Sequence, residues 1–161
     1  MLFIGKITRR QVLGGFVGGL ALTAATGLPK LAHAQSQGEA KTLQETIAKA
    51  VGDREIGDGT EVIALDVPQI AENGNTVPLG VSVDSPMTAE DHVTAVHVFA
   101  EGNPRPEVAT FHFTEHSGIA EAATRMRLAK TQNVIAIAEF SDGRVLMAKA
   151  EVKVTIGGCG G

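Results

Sequence analysis

The chain has 161 residues, with 14 basic and 18 acidic side chains and a formal net charge of -4 at pH 7. An acidic balance repels phosphate backbones and anionic lipid headgroups, which disfavours binding to nucleic acid or to a membrane surface. The single cysteine excludes an internal disulfide, so this thiol is incidental, a cross-link between chains, or a reactive group.

The first 34 residues have the layout of an export signal. Three basic residues, among them the pair Arg9-Arg10, precede an uncharged stretch at 11–28, and an Ala-His-Ala triplet follows at 32–34. The paired arginines resemble the twin-arginine signal of the Tat translocase, and a small-residue triplet suits a signal peptidase. We therefore predict a signal peptide over 1–34, cleavage after Ala34 and a periplasmic location. A membrane anchor is the alternative, because the uncharged stretch nearly matches the thickness of a bilayer.

The first predicted element of the mature chain is a short helix. Thr42 and Glu45 have the spacing of a capping box, and apolar residues follow at helical intervals up to Val51. Gly52 suits the position just past a helix end. The pattern predicts a helix from about Thr42 to Val51.

Beyond the predicted turn Gly57-Asp58-Gly59, apolar residues alternate with polar ones, which is typical of strands. We predict seven strands, at about 63–67, 81–84, 93–100, 111–113, 120–128, 134–140 and 146–156. Short strands divided by turn residues predict an all-β, immunoglobulin-like sandwich over 35–156, although the chain lacks the buried tryptophan and disulfide of antibody domains. The run at 134–140 is apolar on both faces, and indicates either a central strand or half of a heterodimer interface.

The C-terminal sequence Gly157-Gly158-Cys159-Gly160-Gly161 contains one side chain larger than hydrogen, and that side chain is a thiol. Glycine frees the backbone, so we predict a flexible arm over 157–161 that carries Cys159 about 10 Å from the last strand. An unperturbed thiol titrates near pH 8.5, and nothing in the tail lowers that value. Activation must then come from a partner, which favours a carrier of covalently bound sulfur over an enzyme.

Two other functions use the same tail. A ubiquitin-like sulfur-transfer protein would use the terminal Gly160-Gly161 carboxylate, but it requires ATP, which an exported protein does not meet, and has no use for Cys159. A sandwich module for assembly would use Cys159 in an intermolecular disulfide.

Several polar residues outside the tail are candidates for a metal-binding site or a binding surface. His112 and His116 stand four apart, but a strand and a turn need not bring them together, so we predict no metal site and no cofactor. His92 and His97 would point to opposite faces of an ideal strand. Arg125 and Arg127 share a predicted strand face, which is either solvated or steers an anionic substrate or an acidic partner.

The tail and several internal segments carry a family resemblance. The segments are Ala71-Glu72-Asn73-Gly74, Val77-Pro78, Asn103-Pro104 with Pro106, Phe111-His112-Phe113, Arg125-Met126-Arg127-Leu128-Ala129 and Thr155-Ile156-Gly157-Gly158-Cys159-Gly160-Gly161. Together they resemble SoxY, the sulfur-carrying subunit of the periplasmic Sox thiosulfate-oxidising system. The resemblance covers nearly all of the predicted mature chain.

This resemblance implies a reaction cycle on Cys159. A haem enzyme couples thiosulfate oxidatively to the cysteine, a hydrolase releases sulfate, and a sulfur dehydrogenase oxidises the remaining sulfane. It also implies a tight heterodimer with a SoxZ-like subunit, which is a second sandwich protein.

Overall fold

The computed structural model describes residues 42–158. The predicted signal peptide at 1–34, its cleavage after Ala34, and the last three residues of the predicted arm lie outside the described residues. Within 42–158, no helix is long and apolar enough to cross a membrane.

The predicted helix is confirmed as α1, Leu43–Val51. Both bonds of the capping box form, because the Glu45 N–H donates to Thr42 Oγ1 at 3.3 Å and the Thr42 N–H donates to Glu45 Oε2 at 3.2 Å. Gly52 ends the helix at a φ of 68°, where a side chain would be strained, and its N–H donates to Ala48 O at 2.8 Å.

Nine strands in the described residues form two sheets. They are β1 Ile56–Asp58, β2 Ile63–Asp66, β3 Ile70–Asn73, β4 Val77–Val83, β5 Val93–Ala100, β6 Glu107–His112, β7 Ala120–Met126, β8 Gln132–Phe140 and β9 Val145–Ile156. The main sheet has the order β1-β9-β8-β5-β6, with β3 also paired to β9, and the second sheet has the order β2-β4-β7. The predicted all-β sandwich with one short helix is confirmed.

The predicted count of seven strands was too low by two. Strands β1 and β3 were missed, and the first of them takes up Gly57 and Asp58, which had been predicted as a turn. Each has only three or four residues and pairs in parallel with β9, at Ile56↔Val145 and Ile70↔Lys153. A parallel partner some 85 residues away leaves no mark on the local alternation of so short a segment.

The main sheet is covered on both faces. Alternate residues of β8, including Val134 and Ala136, face a core between the two sheets. Ile135 and Ile137 face the other way into a second core under helix α1, where Val51 and Phe99 join them. The run at 134–140 is therefore a central strand, and its second apolar face is buried by the helix of the same chain.

Candidate functional site

The root of the C-terminal segment is the part of the predicted site that the structure describes. Gly157 and Gly158 are described, whereas Cys159, Gly160 and Gly161 lie outside the described residues. Strand β9 delivers the chain to this point and ends at Ile156, whose side chain is 66% exposed. The site therefore lies at the end of β9, next to β3, whereas the other parallel neighbour, β1, pairs with the beginning of β9.

Strand β3 runs beside the end of β9 and is followed by a turn that reaches Gly158. Asn73 pairs with Ile156, and the Gly74 N–H donates to Ile156 O at 2.7 Å. The Asn73 side chain shapes the turn, since its Oδ1 accepts from the Asn75 N–H at 2.9 Å. The pairing of β3 with β9 thus continues one residue past the strand.

A second segment, which follows strand β7, closes around the same glycines. The Leu128 N–H donates to Gly74 O at 2.8 Å, and Leu128 O accepts from the Gly158 N–H at 2.9 Å. Leu128 is fully buried, so its backbone is fixed by the core. Gly158 is thereby hydrogen bonded to the domain and does not extend freely into solvent.

Close approach explains why these positions are glycine. A Cβ on Gly157 would overlap Ala129 O, and one on Gly158 would overlap the backbone of Gly74. A Cβ on Gly74 would overlap Leu128 O and lie 2.8 Å from the Gly158 nitrogen. None of the three has a positive φ, so here the missing side chain makes room for backbone atoms and does not supply an unusual dihedral angle.

Asn103, in the loop between β5 and β6, ties down the segment that holds Gly158. Its Nδ2 donates to Arg127 O at 2.8 Å, and its Oδ1 accepts from the Ala129 N–H at 2.9 Å. The same Oδ1 accepts from Nε2 of the buried Gln132 at 3.0 Å. We call Gly74, Asn103, Leu128 and Ala129 the collar, because they surround the root of the arm.

The sequence predicts turns at Asn73-Gly74 and Asn103-Pro104 and a strand that ends at Leu128, but it does not place these residues together. The available signal was indirect, because all three segments belong to the set that resembles one family. No pattern in the sequence states that these three strand ends meet.

The histidines at 92, 112 and 116 lie in different segments, and two of them share a neighbour, since His92 Nε2 also lies 3.9 Å from Glu115 Oε2. His112 ends β6, and His116 lies in a short 3₁₀ helix with its Nε2 3.7 Å from Glu115 Oε1. The His92 Nδ1 is 2.9 Å from Thr88 O. Among residues 42–158, no group of three His, Cys, Asp or Glu side chains is arranged to hold a metal ion.

A polar cluster under helix α1 was not predicted. His97 is buried, with its Nε2 2.5 Å from Glu139 Oε1 and its Nδ1 3.1 Å from Thr110 Oγ1. Arg54 donates to the other oxygen of Glu139 and, through Nε, to Val51 O at 2.7 Å. Burial disfavours the charge on Glu139, but the bonds from His97 and Arg54 outweigh it and hold the pKa of Glu139 below its usual value.

A cavity of about 290 Å³ lies beside this cluster, between helix α1 and strands β5 and β6. Its lining combines charged and apolar side chains: Glu45, Thr46, Lys49, Ala50, His97, Phe99 and Glu107. Both nitrogens of His97 already have partners within the sheet. The cluster joins the helix to the sheet, because Arg54 binds both Val51 O and Glu139.

Of the two arginines that were predicted to share a strand face, only Arg125 lies in a strand. Arg125 lies in β7 opposite Pro78, whereas β7 ends at Met126, so Arg127 lies beyond the strand. Both residues are exposed. Arg127 belongs to the segment that Asn103 holds, and its backbone, not its guanidinium, makes that contact.

The chain is similar to sulfur oxidation proteins. The family model "Sulfur oxidation protein SoxY" matches residues 47–159. The structure of the sulfur carrier protein SoxY from Chlorobium limicola f thiosulfatophilum matches with 34% identity and a TM-score of 0.61, over 71% of this chain and 97% of that one. No curated protein matches.

More distant matches show the fold alone. A superoxide reductase (neelaredoxin) from Ignicoccus hospitalis matches with 20% identity and a TM-score of 0.53, over 73% of this chain and 90% of that one. A superoxide reductase from Nanoarchaeum equitans matches with 15% identity and a TM-score of 0.51, over 61% of this chain and 100% of that one. The same sandwich therefore carries more than one chemistry.

Proposed function

The chain belongs to the SoxY family of sulfur oxidation proteins, and from this premise we propose that it is a sulfur carrier whose attachment point is the thiol of Cys159. One observation carries the proposal: the family match runs over residues 47–159 and ends on the only cysteine of the chain. The match to a SoxY sulfur carrier over most of the domain supports the same role.

The loading step proposed for Cys159 is an oxidative coupling. A thiol and a thiosulfate dianion form a sulfur–sulfur bond, and the step releases one proton and two electrons, which the partner haem enzyme accepts. Attack of water on the terminal sulfonate then releases sulfate and leaves a persulfide on Cys159, and a sulfur dehydrogenase oxidises this remaining sulfur. The carrier itself supplies only the sulfur atom and its placement.

We assign the catalysis to the partners because of the chemistry of the thiol. The thiolate is the reacting form, and an ordinary cysteine is mostly protonated at neutral pH. A partner that receives the arm can supply the base and the electron acceptor together. A SoxZ-like subunit, as the heterodimer partner, completes the proposed assembly.

The proposed compartment is the periplasm, reached through the Tat pathway. The charged segment with Arg9-Arg10, the uncharged stretch and the Ala-His-Ala triplet support it.

Intact mass spectrometry tests this function. We incubate the exported protein with thiosulfate and the partner haem enzyme, and expect one adduct per chain that maps to Cys159 and that a reducing agent removes. Cys159→Ser should abolish the adduct while the thermal unfolding midpoint stays at the wild-type value. An adduct on the Cys159→Ser variant, a thiocarboxylate at Gly161, or conversion of the thiol only to disulfide-linked dimers would each overturn the proposal.

A further inference from the structure

Three segments that are far apart in the sequence meet at the root of the arm. The turn at 73–75 follows β3, the loop with Asn103 follows β5, and the segment at 127–129 follows β7. These segments contact each other or Gly158 through hydrogen bonds of 2.8 to 2.9 Å, and Gly74 also donates to Ile156 O at 2.7 Å. Each of these segments could form its own turn without contacting the C-terminal glycines. Turn formation alone therefore does not explain why the three segments meet there.

We propose that the collar of Gly74, Asn103, Leu128 and Ala129 is a positioning device, which anchors the arm through Gly158 and sets where Cys159 leaves the domain. The inference rests on the proposed carrier function and names residues that serve it without touching the sulfur. Asn103 acts indirectly. It binds Arg127 O and the Ala129 N–H, and so fixes the carbonyl of Leu128, which lies between these two residues.

The backbone hydrogen bonds of the collar form a connected chain. Ile156 O accepts from Gly74, Gly74 O accepts from Leu128, and Leu128 O accepts from Gly158. Each link needs its neighbour in place, because the Leu128 backbone both donates to Gly74 and accepts from Gly158. Loss of one link therefore loosens the others.

Steric fit makes the anchor specific for glycine on both sides. Gly74 and Gly158 approach each other so closely that a methyl group on either one would overlap the backbone of the collar. A tail selected only for flexibility would tolerate alanine at these points, since alanine costs an open chain little. The close fit indicates that docking of the root, and not only its freedom, is built into the sequence.

The consequence concerns reach. A free arm would begin at Ile156 and carry the thiol about 10 Å, whereas an arm anchored at Gly158 leaves one peptide link, about 4 Å, between the anchored Cα and the Cα of Cys159. To reach the thiol, the reactive centre of a partner enzyme must then approach the protein surface around the collar. The anchored arm also samples a smaller volume, which raises the effective concentration of the thiol at a docked active site.

The single thiol provides a direct probe, because a nitroxide spin label reacts at Cys159 alone. We expect a slowly tumbling label in the wild-type protein and a severalfold shorter correlation time in Gly74→Ala and in Asn103→Ala. Loss of the Gly158 hydrogen bond should also speed exchange of its amide about fivefold. The label reports on the collar whether or not the protein carries sulfur.

Matched variants control for general loss of stability. Gly118→Ala introduces a methyl group at a φ of 74° where nothing lies within 4 Å, so it strains a distant turn without reaching the collar. Ser141→Ala removes a loop-bridging side chain, which binds His92 N–H and Glu90 O, at the opposite end of β9. Both should leave the label and the Gly158 amide as in the wild type.

Loading kinetics with the partner haem enzyme complete the test. We expect kcat/KM for the carrier to fall about fivefold in Asn103→Ala, while alkylation of the free thiol by iodoacetamide keeps its rate. A wild-type label as mobile as one on a short glycine peptide, or collar variants that match the controls in label mobility, would overturn the positioning role. Absence of any adduct in the wild type would instead refute the carrier function and leave the label result standing.

Discussion

Helix α1 and the arm root are held to the same sheet by different kinds of contact. The helix is held by side chains: Phe99, Ile135 and Ile137 pack beneath it, and Glu139 bridges Arg54 and His97. The arm root is held by backbone groups that meet where side chains are missing. Side-chain packing stabilises the fold, whereas the backbone contacts of the collar fix the position of a short segment and bury little surface.

The comparison predicts that stability and arm placement can be changed separately. Variants under the helix should lower the free energy of unfolding and leave the spin label at Cys159 unchanged. Variants of the collar should change the label at a smaller cost in stability. The following substitutions test this separation from the helix side, in order of decreasing effect.

Phe99→Ala should have the largest effect on stability. Phe99 is 1% exposed in the core under α1, and removal of a buried phenyl ring costs about 3–5 kcal/mol. Urea unfolding of the purified protein measures this loss. Phe99→Leu, which keeps most of the volume, should recover a large part of it, and an increase in label mobility in either variant would show that the two regions are coupled.

Glu139→Gln should have an intermediate effect that depends on pH. The variant keeps the shape of the side chain but weakens two charge-assisted bonds, at a cost of about 1 kcal/mol at neutral pH. Because the pKa of Glu139 is lowered in the folded state, its stabilisation is present above the unfolded-state pKa and is lost as the pH falls through the folded-state pKa.

The unfolding free energies of wild type and Glu139→Gln should therefore converge in acid. Glu151→Gln is the matched control, because Glu151 is an exposed residue of β9 and should show little difference at any pH. A gap between wild type and Glu139→Gln that widens as the pH falls would contradict the assignment of the low pKa to the bonds with His97 and Arg54.

Thr42→Ala should have the smallest effect. It removes the side chain of the capping box, which costs about 0.5 kcal/mol at this exposed helix end, and leaves the apolar face of α1 intact. Thermal unfolding followed by circular dichroism measures the shift, and Thr42→Ser should restore most of it because serine also caps. An effect on loading kinetics would show that the helix contributes to the site.

The same contrast explains what the sequence could predict. The helix and the longer strands were predicted, because covered and exposed residues alternate over 148–155 of β9 and covered residues recur at helical spacing in α1. The collar could not be predicted as a unit. Most of its contacts join backbone atoms that every residue has, and the side chain of Asn103 binds backbone groups of a segment that is distant in the sequence. Strands β1 and β3 escaped prediction for a related reason: their pairing with β9 depends on the fold and not on their own side chains.

The candidate site was predicted in part. The spacing of the tail pointed to Cys159 and its flanking glycines, and the family match includes the cysteine. The glycines at 157 and 158 were interpreted as a source of freedom, whereas the structure shows them packed against Ala129 and Gly74. The sequence shows that these two residues have no side chain, but only the structure shows that backbone atoms of Ala129 and Gly74 occupy the space that a side chain would need.

The pairing of β9 has a mechanical consequence for the proposed hand-over of the C-terminus to partner enzymes. Strand β9 pairs with β8 along one edge and with β1 and β3 along the other. Hydrogen bonds in a sheet run across the strands, so a pull along the terminus shears many of them at once and does not peel them singly. In the proposed carrier, a pull by a partner is therefore expected to detach the glycines from the collar before it disturbs the sandwich.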